Sequence, residues 1–98
     1  METETGRILV ESLTEHQGQS VLLRGWVHRL RVLGKTTFLI LRDCSGVAQC
    51  VSPSNNLKSA QLKSEDTVEI HGRVRLDSRA PRGAEVEIIS MRVLNPAA

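Results

Sequence analysis

Aromatic side chains are nearly missing: the 98 residues hold one Phe, one Trp and no Tyr. The core must therefore be aliphatic, and a ring placed outside it stands out. Long apolar runs are missing as well. The longest is Phe38 to Leu41, far short of the roughly 20 residues that span a membrane as a helix, and the opening METETGRILVES is acidic where a secretory signal is basic and then greasy. A soluble, cytoplasmic chain with no membrane partner is expected. Cysteine is equally scarce. Cys44 and Cys50 form no CxxC pair and have no His at metal-ligand spacing, while His16, His28 and His71 lie far apart. Neither zinc nor redox chemistry has a ligand set, so ordinary reduced thiols and no metal or other cofactor are expected. No nucleophile, base and orienting group share a signature spacing, and no Gly-rich loop opens a helix as a P-loop does. Catalysis has little to stand on.

What is present is a charge asymmetry and a period. The net charge of +2 says little, but residues 21–42 carry Arg24, Arg29, Arg31, Lys35 and Arg42 with no acid among them. Residues 1–19 carry Glu2, Glu4, Glu11 and Glu15 against Arg7. A local basic field favours a polyanion, although outward faces of strands produce the same pattern. A chain of this length with 40% hydrophobic content makes one domain, burying roughly two thirds of the surface it exposes when unfolded. That domain is expected to span residues 1–98, with 1–6 disordered.

Ser12 and Glu15 have the S-x-x-E spacing of a capping box, and Gly18 stands where one short helix would end. From Ser20 the pattern changes to period two: Val21, Leu23, Gly25 and Val27 alternate with Leu22, Arg24, Trp26 and His28. This strand runs to about Arg31, long enough to need a bend, which Gly25 is expected to supply. After a VLGK turn, TTFLILRD sets Leu39 and Leu41 on one face and Phe38, Ile40 and Arg42 on the other. CSG closes a hairpin into VAQCVS, with Ala48 and Cys50 inward and Val47, Gln49 and Val51 outward. Residues 53–66 lose the alternation and bring Leu57, Ala60 and Leu62 near helical spacing, which predicts a short helix. Alternation returns through Val68, Ile70, Gly72 and Val74, and again through Val86 and Ile88, around a loop DSRAPRG rich in breakers and positive charge.

Five strands with a helix between the third and fourth, behind a short N-terminal helix, is the order of an all-β, Greek-key OB-fold barrel. Its binding face is made by strands 2 and 3 and flanked by the 1–2 and 4–5 loops. An SH3-like barrel competes but has no natural place for the helix. On the OB reading, Phe38 lies on the strand 2 face, Arg29, Arg31 and Lys35 lie near the 1–2 turn, Arg42 follows on strand 2, and Arg79 and Arg82 belong to the 4–5 loop. OB-folds that bind single strands stack bases on exposed rings and follow phosphates with Lys and Arg. The Gln49 amide, on the same face, offers a donor and an acceptor to a splayed-out base. Each residue also has a plainer reading: Phe38 packed under a loop or against the first helix, Gln49 touching only solvent, Trp26 packing with its indole N–H in need of a partner.

Taken together, LLRGWVHRLRVLGKTTFLILRDCSGVAQCV resembles the N-terminal anticodon-binding domain of class IIb aminoacyl-tRNA synthetases, in the aspartyl and asparaginyl branch. The resemblance rests on Gly25, Trp26 and Val27, on Arg31 before Leu33 and Gly34, then on Phe38, Leu41, Arg42, Asp43, Gly46 and Gln49. LKSEDTVEIHGRV, RGAEVEI and VLNPA look like that domain's later strands and exit, so the similarity covers roughly residues 7–97. It implies a tRNA anticodon stem-loop of Asp or Asn type as partner, with Phe38 stacking on the central uridine, Gln49 and Arg31 hydrogen-bonding that base, and Glu85 reading the first anticodon base. Where the family carries an acid after this arginine, the chain has Val32. No part of it could bind ATP and activate an amino acid, so the expectation is a non-catalytic binding domain. It would belong to an aspartate or asparagine ligase only if a catalytic domain follows, and a separate catalytic subunit or a homodimer partner is the other possibility. A general single-strand binder and a protein-interaction module remain the alternatives.

Overall fold

The computed structural model describes residues 7–52, 62–80 and 83–95. The expected disorder of residues 1–6 and most of the helix expected over 53–66 lie outside the described residues. Within them, a short 3-10 helix over Val10–His16 precedes five strands: β1 (Ser20–Leu33), β2 (Thr36–Asp43), β3 (Gly46–Ser52), β4 (Thr67–Leu76) and β5 (Ala84–Asn95). They close in the order β1-β2-β3-β5-β4, with β3 and β5 parallel and the other pairs antiparallel. This is the OB barrel. Among the described residues no helix is long and apolar enough to cross a membrane.

The barrel interior takes one side of every strand, which is why the alternation is legible. Val21, Leu23 and Val27 of β1, Leu39 and Leu41 of β2, Ala48 and Cys50 of β3, Val68, Ile70 and Val74 of β4 and Val86 of β5 are all buried. The 3-10 helix adds Val10 and Leu13 to this cluster. Each fully buried Val or Leu contributes roughly 1.5–3 kcal/mol. In so small a barrel the walls come close together. A Cβ on Gly25 would collide with the Arg42 carbonyl oxygen of β2, and one on Gly72 would meet the Val86 side chain and sit 2.6 Å from the Glu87 carbonyl oxygen. Both glycines are therefore required by close approach of neighbouring strands.

β1 also carries an irregularity that strict alternation does not show. β1 pairs with β4 through Ser20–Trp26 and with β2 from Trp26 onward, and its register shifts between Val27 and Arg29. The extra residue at His28 is a bulge, and it turns Arg29 and Arg31 outward where strict alternation from Arg24 and Trp26 would turn them in. The capping box is also corrected. Ser12 is inside the helix, its N–H bonded to the Leu9 carbonyl at 3.0 Å, and the N-cap residue is Leu9, which makes no side-chain cap. The free N–H groups are satisfied from the β2–β3 hairpin instead: Val10 N–H donates to Asp43 Oδ2 at 2.9 Å and Glu11 N–H to Ser45 Oγ at 3.0 Å. Residues 62–66, the described tail of the expected helix, form a turn in which Lys63 N–H donates to Asp66 Oδ2 at 2.9 Å.

Candidate nucleic-acid interface

The register of the barrel stacks outward side chains into two adjacent rungs. Arg29 of β1 faces Ile40 of β2, Ile40 faces Gln49 of β3, Gln49 faces Glu85 of β5, and Glu85 faces Arg75 of β4. In the next rung Arg31 faces Phe38, and Phe38 faces Val51. These rungs floor a cleft of about 660 Å³ walled at one end by Leu33 and Thr36, beside the β1–β2 turn, and at the other by Asp77 and Arg79 of the β4–β5 loop. Phe38 lies half-buried in that floor, outside the core cluster.

Of the residues expected to form a site, Arg29, Arg31, Phe38, Gln49, Arg79 and Glu85 line this one cleft. Lys35, at the tip of the β1–β2 turn, and Arg42, opposite Trp26 and Val47, are exposed but lie outside the lining. Arg82 lies outside the described residues. Arg75 and Asp77 escaped the sequence reading, whereas Ile40 and Val51 were set on this outer face but given no part in the site. The outward alternation of Arg73 and Arg75 on β4 was the available signal, but only the register sets Arg75 opposite Glu85.

The charges divide the cleft unevenly. Arg79 is tied to Asp77, with Nε 3.1 Å from Oδ1 and Nη2 3.1 Å from Oδ2. The Arg79 guanidinium and backbone N–H hold the Asp77 carboxyl below its usual range. Arg75 Nη2 stands 3.6 Å from Glu85 Oε1, an ion-pair distance too long for a hydrogen bond. Glu85 is 3% exposed, and its Oε1 has no hydrogen-bond partner among the described residues. Arg29 and Arg31 are exposed and make no ion pair among the described residues. The β1 wall therefore presents free positive charge and the β4–β5 wall presents compensated charge. Behind the floor, burial pushes the Cys50 thiol up to about 12, with the Glu85 charge as a lesser cause, so this sulfur is inert; Cys44 is exposed and free.

A half-buried ring, an amide and a buried acceptor lacking a donor among the described residues lie beside the cationic β1 wall, on the face with which OB barrels as a class hold unpaired strands. The chain belongs to the tRNA anticodon family of OB-fold nucleic acid binding domains, whose model matches residues 21–94. It is 43% identical over 93 residues to the aspartate–tRNA(Asp/Asn) ligase of Methanococcus maripaludis, a match covering 89% of this chain and 21% of the ligase. The ligase of the same name from Deinococcus radiodurans is 43% identical over 91 residues, covering 93% of this chain and 20% of that protein. Among solved structures, asparaginyl-tRNA synthetase from Pyrococcus horikoshii superposes with a TM-score of 0.85 at 31% identity, over 97% of this chain and 24% of that one. The chain thus spans about a fifth of the length of the curated relatives it matches.

Proposed function

We propose that this barrel binds the anticodon loop of tRNAs of Asp or Asn type, contributing recognition and no bond-making chemistry, as one domain of a cytoplasmic ligase whose catalytic body lies elsewhere. The observation that carries the reading is the convergence of Phe38, Arg31, Gln49 and Glu85 on one cleft. Phe38 is the platform for the central uridine, and the Gln49 amide and Arg31 guanidinium hydrogen-bond the edge of that base. Glu85 accepts from donors on the first anticodon base. Arg29 follows the phosphates from the β1 wall, with Lys35, Arg42 and Arg82 contributing to the wider field.

The test is a titration of Asp-type, Asn-type and unrelated anticodon stem-loops at one fixed salt concentration. Preference for the first two supports the proposal; equal affinity for all of them overturns it and leaves a general single-strand binder. Phe38→Ala is expected to cost about 1–3 kcal/mol of RNA affinity with an unchanged thermal melt, because the ring lies outside the core cluster. A variant that unfolds would make the ring structural. RNA binding that survives high salt and ribonuclease treatment of the sample would point to a protein partner instead.

A further inference from the structure

Arg79 has a more specific part in this cleft, one that rests on the reading above. As a loop arginine it is expected to follow phosphates, yet its geometry is wrong for that task. Its Nε and Nη2 each donate to one oxygen of the Asp77 carboxylate at 3.1 Å, in a two-pronged pairing. Asp77 Oδ1 also accepts the Arg79 backbone N–H at 2.9 Å, so both partners are anchored in one turn. The loop is closed beneath them by Asp77 N–H to the Gly83 carbonyl at 3.0 Å and Ala80 N–H to the Asp77 carbonyl at 2.9 Å.

The consequence is a guanidinium whose charge is compensated and whose Nε and Nη2 donors are already engaged. What it still offers is its flat face. The Arg79 side chain is 88% exposed and shares the cleft with Phe38. A guanidinium plane stacks on nucleobases much as an aromatic ring does, and one already held in place loses little freedom when a base arrives.

We infer that Arg79, held edge-on by Asp77, is a planar lid that stacks on an unpaired nucleobase, with Asp77 as its positioning residue, while phosphate contacts fall to Arg29 on the opposite wall.

The experiment measures the Kd of the full chain for an Asp-type anticodon stem-loop over a salt series, and for loops made abasic at each anticodon position in turn. Arg79→Ala is expected to weaken binding about tenfold while leaving the slope of log K against log salt unchanged. Arg79→Lys, which keeps the charge but has no plane, should be as weak. Arg29→Ala should reduce the slope by about 0.7, the loss of one phosphate contact on a single strand. For one abasic loop the Arg79→Ala penalty should vanish, because the base it covers is gone. Asp77→Asn should steepen the slope as the cation is freed, and should weaken that coupling. A slope reduced by Arg79→Ala together with rescue by Lys would make Arg79 a phosphate contact and overturn the lid. So would a penalty that persists in every abasic loop, or no penalty at all. An Asp77→Asn protein identical to the wild type in both readouts would overturn the positioning role. Oligouridylate run through the same series reads the lid independently of anticodon preference, so a chain that binds stem-loops without discrimination defeats the anticodon reading alone; failure to bind either RNA defeats both.

Discussion

Asp43 and Glu85 are sealed to nearly the same degree, 4% and 3% exposed, yet their oxygens meet opposite fates. Asp43 Oδ2 accepts from Val10 N–H at 2.9 Å, and Oδ1 accepts from Ser45 N–H and Ser45 Oγ–H, both at 2.7 Å. Glu85 Oε1 accepts nothing from the described residues, with Arg75 standing off at 3.6 Å. A buried carboxylate is tolerated when its lone pairs are used and is costly when they are not. The first therefore holds the fold, stapling the 3-10 helix to the β2–β3 hairpin. The second leaves one oxygen unpaired among the described residues, in the wall of the cleft.

The largest effect expected from this contrast is on stability. Asp43→Ala leaves a buried N–H without its acceptor and loosens the hairpin, at about 2–3 kcal/mol, read by denaturant unfolding. Glu85→Gln should change stability by less than about 1 kcal/mol, because it removes a buried charge and returns a half-exposed Arg75 to solvent. The reverse ranking would break the comparison. Acid unfolding gives the same contrast in another form. Burial raises the Asp43 pKa, but the Ser45 hydroxyl, the Val10 and Ser45 N–H groups and the Arg7 charge outweigh it, so the carboxyl titrates below its ordinary value. The unfolded chain then binds more protons than the folded one in that window. The stabilisation is fully present above the unfolded value of about 3.9 and is lost as pH falls through the folded one. Asp43→Asn should flatten the fall in stability below about pH 4; an unchanged acid limb would remove Asp43 as its source.

Glu85→Gln should register in recognition. Replacing one carboxylate oxygen by an amide N–H turns an acceptor into a donor, so discrimination at the first anticodon base should fall by about 1–3 kcal/mol. Preference at the central base should stay as it was. Competition among stem-loops varied at each position measures both; loss at the central base instead would place Glu85 in the wrong subsite.

The legible parts of this molecule share a cause, and so do the hidden ones. Val21, Leu23, Leu39, Leu41, Val68 and Ile70 could be read because a closed barrel imposes one buried side on every strand, and Phe38 because its place in that period set it outside. Three features could not be read, since each depends on a contact or a shift that local spacing does not carry. The acceptor for Val10 N–H lies 33 positions away in Asp43, so the nearby Ser12 capping box was a local signal that a tertiary bond overrode. The bulge at His28 reverses the parity of Arg29 and Arg31 without any mark in composition. Arg75 meets Glu85 only through the β4–β5 register. The Asp77–Arg79 pair differs, because D-x-R in a breaker-rich loop is a local signal that reading the loop only for its positive charge passes over.

The smallest expected effect sharpens the contrast between used and unused groups on the basic side of the ledger. Arg24 and Arg31 both face outward on β1, but Arg24 Nε lies 2.7 Å from Glu69 Oε2, and Arg92 Nε lies 2.8 Å from Glu69 Oε1. One carboxylate, only 12% exposed, thus occupies two arginines that reach into solvent, and their hydrogen bonds keep its pKa below the ordinary value. Both guanidinium groups stay about half-exposed or more, so these pairs contribute little to stability, and Glu69→Gln should shift the thermal melt only slightly. It should nevertheless free two cations for any polyanion. Affinity for an unrelated single-stranded RNA should rise at low salt and the salt dependence should steepen, while the ranking of anticodon loops holds, because neither arginine lines the cleft. A changed ranking would mean that this side of the barrel touches the anticodon, and the separation between a reading wall and a merely charged one would fail.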